Sequence, residues 1–293
     1  MTSIARWSRS PGFQQIVGDA TQLTISVSGM AYALAPDGTI WTGSFGNNWK
    51  LVRSNNVVFK KIFRGKGVWA LTADGSIYQS NDANDTMVRT NGSLRFISSP
   101  FGTSGDTYGL NFENDLFCFR SPAWVPVATP PGVKFFTISA NTELQEAFVT
   151  WAIGVDGNTY RKNPSANNPA VNNFSMVTGP TTFADIQVSQ NMIWALATLP
   201  PNTLGDFPVY AWGPNTGWGQ VQGEKLSSIT VAGSVWGVNS FGQIRSFDGV
   251  GNRFTTMPLL GAPAGMVRQP IGPVVTNSDA SLVLFSDTST IIP

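Results

Sequence analysis

The sequence contains no histidine among its 293 residues. That absence removes the side chain whose charge changes near neutral pH, the commonest zinc ligand and every Ser-His or Cys-His nucleophile pair. The single cysteine, Cys118, has no partner for an internal disulfide, and between Phe117 and Phe119 it reads as a buried thiol on a strand. Charge is scarce: 18 Lys and Arg face 17 Asp and Glu, together 12% of residues, and the net charge is +1. A nucleic-acid backbone asks for a basic stripe, so this balance argues against nucleic acid as a partner. The densest basic run, Lys50, Arg53, Lys60, Lys61, Arg64 and Lys66, reads as a solvated edge. Long apolar runs are missing too. No stretch approaches the roughly 20 residues that cross a bilayer, and Met1 to Trp7 lacks the apolar core of a secretory signal. These features predict no membrane insertion and a reducing, cytoplasmic compartment.

Without histidine, acid-base catalysis would rest on carboxylates, and most of those have a simpler use. Asp37, Asp74, Asp115, Asp156 and Asp279 stand in turn sequences, and Glu143 and Glu146 share one segment, where a glycosidase pair must flank a bond from opposite sides. The expectation is a protein that is not an enzyme. Asn81 to Asp85 clusters oxygen ligands but lacks the glycine and terminal glutamate of an EF-hand loop, and reads as a polar turn. No metal and no cofactor are expected.

What is present is a repeat. An aromatic, then Ala or Gly, then an aliphatic recurs six times: Tyr32-Ala33-Leu34, Trp69-Ala70-Leu71, Tyr108-Gly109-Leu110, Trp151-Ala152-Ile153, Trp194-Ala195-Leu196 and Trp236-Gly237-Val238. The aromatics are 37, 39, 43, 43 and 42 residues apart, a period at which one supersecondary unit buries its apolar face by stacking on the next. Ahead of the triplet stands an apolar-x-x-Ile segment, as in Phe59 to Ile62, Leu94 to Ile97, Phe135 to Ile138, Phe183 to Ile186 and Leu226 to Ile229. Behind it comes a tight turn, often Asp-Gly, which supplies the positive φ that a right-twisted hairpin requires. An aromatic-x-x-aliphatic segment closes each unit: Trp49 to Val52, Trp124 to Val127, Phe174 to Val177, Trp218 to Val221 and Phe254 to Met257.

Four short strands in roughly 40 residues define a β-propeller blade. The prediction is therefore an all-β fold, a single seven-bladed β-propeller domain of four-stranded blades over 1–293, with six blades as the alternative. The expected blades are 22–56, 57–91, 93–130, 132–179, 181–223, 224–260 and 262–286 joined by 7–17. The last of these lacks its outermost strand at the C-terminal end, and Phe13 to Ile16 is expected to supply it, which would remove the ring's open edges.

The run Leu226 to Ile244, with Ile229-Thr230-Val231-Ala232-Gly233 followed by Val235-Trp236-Gly237-Val238-Asn239, resembles the repeat of the tectonin family. That resemblance implies a propeller lectin that binds glycans or glycoconjugates at several repeated sites, with methylated sugars in a defence role. A rival resemblance is to the regulator-of-chromosome-condensation type of seven-bladed propeller, carried by Val209-Tyr210-Ala211-Trp212-Gly213-Pro214-Asn215 and Ala33-Leu34-Ala35-Pro36-Asp37-Gly38. It implies a non-enzymatic protein-protein interaction scaffold. Sugar C–H faces stack on aromatic rings, so the expected ligand-binding residues are Trp41, Trp49, Tyr78, Trp124, Tyr160, Tyr210, Trp212 and Trp218. The triplet aromatics are expected to fill space between blades instead. Long connections at Ser98 to Asp106, Ser139 to Ala147, Gln79 to Thr86 and Lys162 to Asn173 are expected to elaborate one face of the ring.

Overall fold

A computed structural model describes residues 2–8, 12–16, 20–26, 30–44, 47–81, 84–100, 106–140, 149–163, 173–189, 192–198, 205–232, 234–241, 243–247, 253–256, 270–275 and 282–287. The strands among them form seven four-stranded antiparallel sheets. Six are blades of consecutive strands. Blade 1 is Gln22–Ile25, Ala31–Leu34, Ile40–Ser44 and Asn47–Leu51; blade 2 is Lys61–Arg64, Val68–Leu71, Ser76–Asn81 and Asn84–Ser93. Blade 3 is Phe96–Ser98, Tyr108–Leu110, Leu116–Arg120 and Ala123–Pro126; blade 4 is Phe135–Ser139, Trp151–Gly154, Thr159–Lys162 and Phe174–Val177. Blade 5 is Phe183–Ser189, Met192–Ala197, Phe207–Gly213 and Gly217–Leu226; blade 6 is Ser228–Ala232, Ser234–Val238, Ile244–Phe247 and Phe254–Thr256.

The remaining sheet joins the two ends of the described chain in the order Gly12–Ile16, Thr2–Ser8, Leu282–Asp287, Pro270–Val275. The first strand of each blade lies against that of the next, and Pro270–Val275 bridges blade 6 back to blade 1, so the sheets close a ring. The chain is an all-β propeller with four-stranded blades.

Two expectations are corrected by this topology. The N-terminal segment contributes two strands to the closing sheet, not one: Thr2–Ser8 pairs with Leu282–Asp287, and Gly12–Ile16 is the outer edge. Leu282–Asp287 is accordingly the second strand of its sheet, and Asp279, expected in a turn, lies outside the described residues. The segment Gln79 to Thr86 is no long loop, because its flanking strands extend until Asn81 opposes Asn84.

The triplets explain the packing between blades. All six aromatics are buried on second strands, and their neighbours two residues on face the same side, as strand geometry dictates. Tyr32 and Leu34 of blade 1 share a core with Phe59, Ile62 and Ala70 of blade 2, and Trp69 and Leu71 of blade 2 share one with Leu94 and Ile97 of blade 3. Equivalent cores join blades 3 and 4, 4 and 5, and 5 and 6. The middle residue of the triplet faces the other way and must be small. A Cβ on Gly109 would stand 2.4 Å from Leu94 Cδ1, and one on Gly237 would stand 2.2 Å from Leu226 Cδ1. Each of those leucines opens the apolar-x-x-Ile segment that precedes the same triplet, so the two halves of the repeat motif fit one another.

Candidate functional site

Antiparallel order places the turns between second and third strands, together with the links from one blade to the next, on a single face of the ring. Their chemistry makes this face rigid. Asp37 Oδ1 accepts the Thr39 amide at 2.9 Å, and Asp156 Oδ1 accepts that of Asn158 at 3.0 Å. In blades 3 and 6 an asparagine takes the role: Asn111 Oδ1 accepts from Asp115 at 2.7 Å and Asn239 Oδ1 from Gln243 at 2.9 Å. Gly38, Gly75, Asn114 and Gly157 occupy the left-handed backbone region at φ between 64° and 84°.

These bonds also fix the carboxylates in their ionised form. The Thr39 amide and hydroxyl hold Asp37 below the ordinary aspartate range. Donors from Thr72 and Ser76 bring Asp74 to about 2. The ammonium of Lys134 lowers Asp115, and at Asp156 the bonds from Asn158 and Tyr160 outweigh the opposing effect of burial.

On this scaffold stand apolar side chains in water. Of the nine exposed large hydrophobic residues among those described, Val58, Phe112, Val155 and Phe241 belong to these turns and links, and Phe136 is the second residue of the strand that opens blade 4. Trp41 and Leu51, opposed across the third and fourth strands of blade 1, border the same face. Phe112, 56% exposed, leans its ring edge over the neighbouring turn, since a Cβ on Gly75 would come within 2.7 Å of Phe112 Cε2. Between blades 3 and 4 the surface is stitched together. Arg95 donates to Asn114 Oδ1 and, at 2.7 Å, to the Phe136 carbonyl, while its guanidinium lies 5.9 Å from the Phe136 ring centroid. The Val155 amide donates to Lys134 O at 2.8 Å, and Lys134 Nζ pairs with Asp115.

The opposite face carries a different cluster. Arg120 makes a two-pronged pair with Asp106, whose Oδ2 also lies 3.8 Å from the buried Lys162 Nζ across the boundary of blades 3 and 4. Beside it the Cys118 thiol is pushed up to about 12 by burial and by Asp106, which leaves it unreactive. Residues 101–105, 141–148 and 164–172, which hold most of the expected elaborated loops, and Asp82 and Ala83 of the polar turn, lie outside the described residues.

The eight aromatics expected to stack on sugar are dispersed around the ring on third and fourth strands, and six of them pack against rings of the cores between blades. Trp124 packs on Trp69 at 5.3 Å, and Trp212 and Trp218 pack on Trp151 at 5.0 and 5.8 Å. Tyr78 meets Phe59 at 5.3 Å, Tyr160 meets Phe135 at 5.4 Å and Tyr210 meets Phe183 at 5.5 Å. Trp49 is half-buried on the outer strand of blade 1. Trp41 is exposed, with its Nε1 donating to Thr39 Oγ1 at 3.1 Å. The repeat motif marks aromatic positions but not the side of the sheet that reaches water. Sequence reasoning missed Phe112, Phe136, Val155 and Phe241, although an apolar residue inside a turn, as in Val155-Asp156-Gly157, was a readable signal.

No protein-family model and no curated protein matches the chain. Solved structures do. The structure of Prp20p from Saccharomyces cerevisiae, described with its binding properties to Gsp1p and histones, matches with a TM-score of 0.68 at 10% identity over 100% of this chain and 92% of that one. Yeast RCC1 (Prp20) bound to Kap60 matches with a TM-score of 0.64 at 9% identity, over 100% and 89%. YCF48 from Cyanidioschyzon merolae matches with a TM-score of 0.61 at 13% identity, over 93% and 98%. At such identities the likeness shows the propeller fold. The expectation of glycans or glycoconjugates as partners is corrected here: the partners named for the two Prp20 structures are proteins.

Proposed function

We propose that this protein is a non-catalytic interaction scaffold that binds a protein partner through the turn face of its ring, which we read as seven blades counting the joint between its ends. The carrying observation is the exposure of Phe112, Phe136, Val155 and Phe241 on one rigid face. Exposed apolar groups on a rigid, polar-rimmed surface mark interaction sites, and aromatic side chains supply most of the energy at their centres. Two further points support the reading. Structures with the same fold include a protein described with Gsp1p and histones, and one bound to Kap60. Asp37 and Asp74 are held ionised by their own turns and Asp115 by Lys134, so none of these three is poised for proton transfer near neutral pH.

The test replaces Phe112, Phe136, Val155 and Phe241 with serine, singly and together, and compares quantitative affinity purification with thermal melting. Specific partners should be lost in the order of exposed apolar area, with melting unchanged. A fourfold variant that keeps every partner of the parent protein rejects the reading.

A further inference from the structure

We propose that Asn91–Gly92, on the outer strand of blade 2, is a site of covalent self-modification, at which the folded chain loses ammonia and acquires an aspartyl or isoaspartyl carboxylate. Asn91 is the single asparagine of the sequence that precedes glycine. The Gly92 nitrogen attacks Asn91 Cγ; the new N–Cγ bond closes a succinimide, the Cγ–Nδ2 bond breaks, and Nδ2 departs as ammonia with the proton that the Gly92 nitrogen gives up. Water then adds to one imide carbonyl and the C–N bond there breaks, leaving a carboxylate. A side chain on the following residue would crowd the attacking nitrogen, and glycine has none.

The fold leaves this pair the freedom that imide closure needs. Thr90 lies opposite Ile77 and Ser93 opposite Ser76, so Asn91 and Gly92 are two residues more than the facing strand can match, a bulge in which Gly92 takes φ +104°. Both are exposed, and the Asn91 carboxamide has no hydrogen-bond partner among the described residues. Space is open as well: a Cβ on Gly92 would meet Ile77 Cδ1 at an ordinary 3.4 Å and nothing closer. The flank is fixed, since Ser93 Oγ donates to Asp74 O at 3.0 Å and the Leu94 amide to Gly75 O at 2.9 Å. Asn239–Ser240, where serine follows, shows the opposite arrangement. Asn239 Oδ1 accepts the Phe241 and Gln243 amides at 3.2 and 2.9 Å, and the Ser240 nitrogen, the atom that would attack, donates to the buried Asp206 at 2.6 Å.

One added carboxylate takes the formal net charge from +1 to zero, and a chain without net charge associates more readily. The test holds the full-length protein in mildly alkaline buffer and follows each asparagine by peptide-mapping mass spectrometry, with the urea-unfolded chain in parallel. In the folded protein Asn91 should convert ahead of every other asparagine while Asn239 keeps its amide, and in urea Asn239 should begin to convert as well. Isoelectric focusing should show an acidic species that grows with time in the parent and is missing from Asn91→Gln, whose longer side chain closes the imide poorly. Three results would overturn the proposal: an Asn91 that keeps its amide in the folded protein while losing it in urea, conversion of Asn91 no faster than that of Asn239 in the folded protein, or the same acidic species in Asn91→Gln.

Discussion

The amide of Phe59 donates to the carbonyl oxygen of Gly38 at 2.9 Å, so the opening residue of one blade is tied to the turn of the blade before it. The same tie recurs from Leu94 to Gly75, Phe135 to Asn114 and Phe183 to Gly157 at 2.9 to 3.3 Å. The turns that display the apolar face are therefore also the clamps between blades.

Gly75→Ala tests that dual use. The residue has φ +82°, and a Cβ would meet Leu94 O at 2.7 Å, Ser93 Oγ at 2.5 Å and Phe112 Cε2 at 2.7 Å. Gly132→Ala is the control, with φ +75° and open space around it. Urea denaturation should give a loss of about 1 kcal/mol for the control and about 2 kcal/mol or more for Gly75→Ala. Equal losses would show that the neighbouring turn does not press on this one.

Trp151 is fully buried and contacts both Trp212 and Trp218. Replacement by alanine should cost about 3 to 5 kcal/mol through the cavity it leaves. Trp151 Nε1 has no hydrogen-bond partner among the described residues, so phenylalanine, which removes that buried donor, should cost distinctly less. Chemical denaturation of the two variants separates the contributions.

The triplets, the turn glycines and the opening apolar segments were legible because each serves a single purpose that repeats every blade. Phe135 and Phe136 show where legibility ended. They are adjacent and chemically identical, yet the first is buried and the second 51% exposed, because alternate residues of an inner strand face opposite ways and only the register decides which. The turn face also gathers residues from blades 1, 3, 4 and 6, and a repeat search sees what blades share, not the side chains in which they differ. The closing sheet was half legible: Phe13 to Ile16 carried the outer-strand pattern, whereas Thr2–Ser8 lacks any repeat signature.

Asp185 predicts a pH dependence of unusual sign. Desolvation raises its pKa, opposed by bonds from Gln187 Nε2 and the Ile186 amide. A folded-state pKa above the unfolded value means that the group favours folding while protonated, below its unfolded pKa, and that this contribution is lost as pH rises through the folded pKa. Asp185→Asn should therefore melt higher than the parent at neutral pH, with the gap closing as pH falls toward the ordinary aspartate range. Asp74 has the opposite sign: lowered to about 2, it contributes above its unfolded pKa and ceases to do so as pH falls through that value. Melting temperature against pH for Asp185→Asn and Asp74→Asn distinguishes the two, and a constant gap for Asp185→Asn would remove its carboxylate from the account.

Removing residues 1–16 deletes both N-terminal strands of the closing sheet and leaves Leu282–Asp287 with an open edge. The melting temperature should fall by more than in any single substitution above, and concentration-dependent association should appear as the bare edge pairs with other chains. A truncated chain that melts like the parent and stays monomeric would show that the joint contributes nothing to the ring.

The register of that joint decides how it yields to force. Thr2 lies opposite Asp287, so the two ends of the ladder sit side by side at the same end of an antiparallel pair. Tension applied through the chain ends would load one hydrogen bond at a time and peel the strands apart, where a ladder loaded from opposite ends would have to break in shear. A tether pulling on both termini should thus open the ring at low force and step by step, while the blades, each sewn to its neighbour through turns far from either end, stay intact.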